Sequence, residues 1–203
     1  MKRFKGAKGL ICLLVMCVLV VGYFYYLSNR DYMEETEEET YITANQEVLL
    51  RDLENNYPPT PKEVIKYYCE ITKCLHDTNA SDEEVELMAE KIKGIYDDEL
   101  IANKSQEAYL ADLKSEILTF NETDSSIVNY AVSASTDVDY FEEDGFEFAR
   151  LRATLYVRVK TKMQNQENVY LLRKDADGHW KIYGWKAADE VNIVETEDIN
   201  SNE

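Results

Sequence analysis

With 203 residues and a formal net charge of −18, the chain is strongly acidic, which argues against nucleic acid or anionic lipid as a partner of its main body. Seven glycines leave little scope for a phosphate-cradling loop. Four cysteines and two histidines show no zinc-ligand spacing.

The first feature in chain order is the run 10–27, 18 residues without a charge, which as a helix would span roughly 27 Å. Lys2, Arg3, Lys5 and Lys8 precede it and Tyr23, Phe24, Tyr25 and Tyr26 crowd its far end. By the positive-inside rule this predicts a single-pass transmembrane helix with residues 1–9 in the cytoplasm and the rest outside it. A cleaved signal peptide is the rival reading, but the run is long for one and no Ala-x-Ala-like site follows it. Cys12 and Cys17 lack the small residues that precede an acylated cysteine, and read as apolar residues of the span.

Residues 28–56 are expected as an acidic stalk and 188–203 as an acidic disordered tail. Nine acids face only Arg51 over 31–60, and six acids face no base over 187–203. Such runs are solvated flanks before they are calcium sites. Between them, 57–187 is expected to form one extracytoplasmic domain.

Three helix starts stand out. Thr60-Pro61-Lys62-Glu63 offers an N-cap, a proline at the first helical position and a capping glutamate. The spacing then predicts a stripe of Val64, Tyr68, Ile71 and Leu75. Ser81-Asp82-Glu83-Glu84 is a second capping box, ahead of Val85, Met88, Ile92 and Ile95. A third start near Ser105 sets Tyr109, Leu113, Ile117 and Phe120 on one face. Cys69 and Cys74, five apart, are expected as free thiols, unless the first helix breaks and lets them bridge.

The period then changes to two. Val128, Tyr130, Val132, Ala134, Thr136 and Val138 suggest one strand. From Ala149 to Met163 odd positions are mostly apolar and even positions mostly basic, a long strand with a dry and a wet face. Val169–Lys174 and His179–Lys186 make a closing hairpin across Asp175-Ala176-Asp177-Gly178. The fold class expected is α+β: the transmembrane helix, then three helices packed on one face of a curved antiparallel sheet of about four strands.

The segment from Leu171 to Trp185, with its Asp177-Gly178-His179-Trp180-Lys181-Ile182 core, resembles the last hairpin of nuclear-transport-factor-two-like (cystatin-like) domains. Arg51-Asp52-Leu53 and Asn56-Tyr57-Pro58-Pro59-Thr60-Pro61 are similar to a segment of a family of membrane-anchored extracytoplasmic proteins from low-GC Gram-positive bacteria. The resemblance runs from about Arg51 to Lys186. It implies helices folded onto a strongly bent sheet, often around a cavity. It fixes no function, because such domains serve as binding modules, assembly subunits and small-molecule enzymes.

Candidate chemistry is sparse. His76 sits near a helix end and His179 in a turn, neither within a nucleophile motif. Asp175-Ala176-Asp177-Gly178 reads as a turn, since Arg173 stands where a calcium loop needs its first carboxylate. Asn79, Asn103 and Asn121 open Asn-x-Ser/Thr triplets that coincide with helix ends. No catalytic, cofactor or metal residue is therefore assigned. Tyr68, Tyr109 and Tyr130 are the candidate cavity lining, the alternative being ordinary core. Arg150, Arg152, Tyr156, Arg158, Lys160 and Lys162 are the candidate partner-binding face, the alternative being a solvated sheet surface.

The expectation is a membrane-anchored binding module without catalytic activity, whose ligand is an acidic envelope protein or a small apolar molecule. A homo-oligomer is compatible with it. A subunit of an envelope or secretion-type assembly, or an enzyme using the cavity, are the alternatives.

Overall fold

The structure, a computed structural model, describes Met16, Val20, Val21, Tyr23 and residues 43–189. The four isolated residues are helical. The rest belongs to a separate compact unit that starts at Ile42. Its elements are α1 (Ala44–Leu50), α2 (Pro61–Leu75), α3 (Asp82–Ile95), α4 (Asp98–Ala102) and α5 (Gln106–Glu122). Then come β1 (Ser125–Val132), a 3-10 turn (Ser135–Asp137), β2 (Asp139–Glu143), β3 (Phe146–Val159), β4 (Lys162–Lys174) and β5 (Trp180–Ala187).

The expected fold class needs correcting on three points. The described residues form five helices where three were expected after the span, and five strands where about four were expected. The expected transmembrane helix is not among them: no helix of the described residues is long and apolar enough to cross a membrane. The longest, α5, has 17 residues and carries Glu107, Asp112, Lys114, Glu116 and Glu122 along its length. The run 10–27 lies outside the described residues but for Met16, Val20, Val21 and Tyr23, as does the tail beyond Asp189.

The helices start where short polar side chains satisfy free amides. Thr60 Oγ1 accepts from the Glu63 amide at 3.2 Å. Ser81 and Glu84 close a reciprocal capping box, and Ser105 accepts from the Ala108 amide at 3.3 Å. Residues 43–56, expected within the stalk, pack on the helices. Thr43 caps α1, Val48 is buried, and its carbonyl accepts from the Tyr67 hydroxyl at 2.8 Å. Lys91 donates to the Arg51 carbonyl at 2.6 Å.

The sheet is antiparallel in the order β1-β3-β4-β5, with β2 paired to the near end of β3. The dry face of β3 is the odd set Ala149, Leu151, Ala153, Leu155 and Val157. The expected long strand ends at Val159, however. Lys160 takes a φ of +56°, its amide is held by the Asp124 carbonyl at 2.9 Å, and the chain turns back into β4. The expected strand over Val128–Val138 likewise breaks. Ser133 bonds the backbone of Arg152 through both its amide and its hydroxyl, and the 3-10 turn follows.

Two bulges bend the sheet. In β1 the register slips between Ile127 and Asn129, so Val128 is extra and exposed. In β5 it slips at Tyr183, opposite Leu171/Leu172. The concave face so formed packs on α2, which is buried on most sides: Val64, Ile65, Tyr67, Cys69, Ile71 and Leu75 are almost wholly covered. Helix α2 is continuous, so Cys69 and Cys74 are both free thiols on it. Beyond α3, Tyr96 makes a parallel bridge to Ile182, and the Asp97 amide donates to the Ile182 carbonyl at 2.9 Å.

Candidate functional site

Helices α2, α4 and α5 and the concave face of the sheet line a cavity of about 600 Å³. That lies within the usual range for small-molecule sites. Helix α2 supplies Tyr68 and Thr72, and its C-cap His76 follows about one turn on. Helix α5 supplies Tyr109, Leu113, Glu116 and Phe120, and the strands supply Ile127, Leu155, Val157, Asn168, Tyr170 and Trp185. One end is an aromatic wall. The Tyr68 ring lies 5.7 Å from Tyr170, 6.1 Å from Trp185 and 6.2 Å from Tyr96, centroid to centroid. Trp185 reaches this wall because the bulge at Tyr183 turns it to the side of Tyr170.

The polar atoms of the wall are its phenol hydroxyls and the Trp185 indole N–H. The Tyr96 hydroxyl is the polar neighbour of those of Tyr68 and Tyr109. Burial pushes Tyr68 and Tyr109 up to about 12 and Tyr96 well above its ordinary value. All three are therefore neutral hydrogen-bond donors at any physiological pH. At the mouth, Lys104 and Asp112 pair at 2.6 Å and Lys93 donates to the Gln106 side-chain carbonyl.

His76 is the histidine of this cavity. Its Nδ1 lies 2.8 Å from the Thr72 carbonyl, which can only accept, so that nitrogen carries a proton. Its Nε2 faces Glu116 Oε1 at 3.7 Å, and Phe120 packs edge-on against the ring at 4.5 Å. The neighbouring His76 lowers the Glu116 pKa. Sequence reading missed this pair because the partners lie on different helices. The one visible signal was an acid, Glu116, on the apolar stripe of Tyr109, Leu113 and Phe120.

The expected cavity tyrosines divide. Tyr68 and Tyr109 line the cavity, whereas Tyr130 lies in a second hollow between α1, α2 and β1, of about 780 Å³. There its hydroxyl donates to Glu70 at 2.9 Å, and Lys66 stands 3.9 Å from the same carboxylate. Burial and that carboxylate raise the Tyr130 pKa strongly.

The expected basic face also divides. Arg150, Arg152, Tyr156 and Arg158 lie on the outer face of β3, Lys160 is in the turn, and Lys162 opens β4. Arg150 pairs with Asp139 at 2.8 Å. Among the described residues Arg152, Arg158, Lys160 and Lys162 have no carboxylate within 4.0 Å.

The acidic turn after β4 is accounted for by its own backbone. Asp175 Oδ1 accepts from the amides of Asp177 at 3.0 Å and His179 at 2.7 Å. No group of three His, Cys, Asp or Glu residues able to hold a metal ion occurs among the described residues. The buried thiols are pushed up, Cys69 to about 12 and Cys74 to about 11, which removes their nucleophilic form near neutrality.

Comparison with curated proteins finds no match. Residues 1–185 match the family described as Domain of unknown function (DUF6715), and the chain belongs to that family.

Proposed function

We propose that the domain is a binding module without catalytic activity, and that it holds a small, uncharged, apolar ligand in the cavity between helices and sheet. The observation that carries this reading is the aromatic wall of Tyr68, Tyr96, Tyr170 and Trp185 facing an aliphatic floor of Leu155 and Val157. Flat apolar molecules stack well on such a wall. The neutral phenol hydroxyls offer donors to an oxygen on the ligand.

The test is titration of the full-length chain with Nile red, read by its own emission and by quenching of tryptophan. Trp185 is 42% exposed at the cavity and Trp180 is buried elsewhere, so quenching should vanish in Trp185→Phe. Leu113→Trp, which fills the cavity from α5, should weaken binding by about tenfold or more. Unchanged binding in both variants would place the dye elsewhere and defeat the reading.

One observation favours a second reading, an acid–base enzyme. His76 and Glu116 stand side by side at the cavity, Nε2 3.7 Å from Oε1, a pair able to pass a proton to or from a bound ligand. Turnover of a carbonyl-bearing ligand that His76→Gln abolishes, with Nile red affinity unchanged, would decide for it.

A further inference from the structure

Strand β5 pairs with β4 only from Asn168 to Lys174. On that side Lys162–Glu167 face no strand among the described residues, and all six are exposed. Strand β5 ends at Ala187, opposite Asn168, and Ala188 and Asp189 are helical. The open edge is about 20 Å long, enough for a six-residue strand. Unpaired edges are normally blocked, twisted away or used.

The charge along the edge is graded. At the hairpin tip stand Lys160, Lys162 and Arg158, the last across from Met163, with no carboxylate within 4.0 Å among the described residues. Gln164, Asn165 and Gln166 in the middle are neutral, and Glu167 closes the far end. A strand laid along β4 would run about 4.8 Å from its backbone, within reach of Lys162 directly and of Arg158 across one strand. In a chain of net charge −18, three cations at the end of an open edge, with no carboxylate partner among the described residues, are complementary to an acid and repel a basic segment.

We infer that the Lys162–Glu167 edge of β4 receives an extended acidic peptide segment of a partner protein by strand addition, with its carboxylates toward the β3–β4 tip. Backbone bonds supply the affinity and the cations the orientation. This inference is independent of the cavity ligand.

The probe is a synthetic twelve-residue peptide alternating Glu with Val and Thr, labelled and titrated into the full-length chain by fluorescence anisotropy. Binding is expected, with weakening as salt is raised. The same peptide with Lys in place of Glu should not bind. Arg158→Glu with Lys160→Glu should cost about tenfold or more, with the melting temperature unchanged. Methylating the peptide's backbone amides should abolish binding, which separates strand addition from loose charge attraction. Retained affinity in the charge-reversed variant, or in the methylated peptide, would overturn the inference. So would a tenfold gain on ending the chain at Asp189, since the protein's own tail would then hold the edge. A dimer that the same reversal dissociates would also overturn it, in favour of a second copy.

Discussion

Arg173 binds Asp97, the chain neighbour of Tyr96 in the aromatic wall, and its removal gives a demanding test of the fold. Its Nε and Nη2 donate to the two carboxylate oxygens of Asp97 at 3.0 and 2.7 Å, and Nη1 donates to Glu99 at 2.7 Å. The guanidinium lies 4.9 Å from the Phe146 ring and 4.8 Å from that of Tyr183. The Arg173 side chain is 15% exposed and that of Asp97 only 6%, so the pair is shielded from solvent. Asp97 also caps α4, and its neighbour Tyr96 belongs to the wall. Arg173→Met keeps most of the stem but leaves the Asp97 carboxylate buried without a counter-charge. That costs about 3–5 kcal/mol, well above an exposed ion pair. For a unit of roughly 150 residues this lowers Tm by about 6–20 °C. Adding Asp97→Asn should recover part of the loss, because the stranded charge is gone while the amide can still cap. Thermal and urea unfolding of the two single variants and the double supply the cycle. A loss under about 1 kcal/mol for Arg173→Met, or no recovery in the double, would show that the pair is solvated and does not hold Tyr96.

Alkali should destabilise the domain by a predictable route. Cys69 and Cys74 keep their protons in the folded chain up to about pH 12 and 11, whereas the unfolded chain loses them near 9. Stability is therefore full below pH 9 and falls above it, by about 1.4 kcal/mol per pH unit for each thiol. Tyr67, Tyr68 and Tyr109, each raised to about 12, add to the fall above pH 10. Urea midpoints that stay flat from pH 8 to about pH 11 would refute the burial assigned to these groups. Trp180→Ala should cost about 3–5 kcal/mol by chemical unfolding. Its ring is 7% exposed, Tyr140 packs on it at 5.8 Å and Lys174 lies over it at 5.4 Å, so a nearly neutral result would contradict the packing of β5.

What was legible in the sequence was local chemistry. Thr60, Ser81 and Ser105 announce their helices because an N-cap is decided by residues three apart. The odd positions of β3 announce the core face because period-two burial lies within one strand. The breaks at Lys160 and Ser133 were not legible. Neither Lys160 nor Thr161 carries turn chemistry, and the apolar alternation runs on through Val159 and Met163 as though the strand continued. The turn depends on a carbonyl contributed by Asp124, from another element.

The same distinction governs the site. Tyr68 and Tyr109 could be placed inward because each sits on an apolar stripe of its own helix. Tyr130 could not be assigned to the right hollow, because an extra residue at Val128 changes which side chains of β1 point inward. Trp185 joins the aromatic wall through a second such slip at Tyr183. Each bulge reverses facing by one residue and leaves no mark in the alternation that precedes it. The two slips that hid these residues from sequence reading also curl the sheet. A regular sheet would have kept Trp185 out of line with Tyr170 and lain flatter against α2 and α5. The irregularities that defeat a period-two reading are thus the ones that open the cavity and furnish its aromatic end.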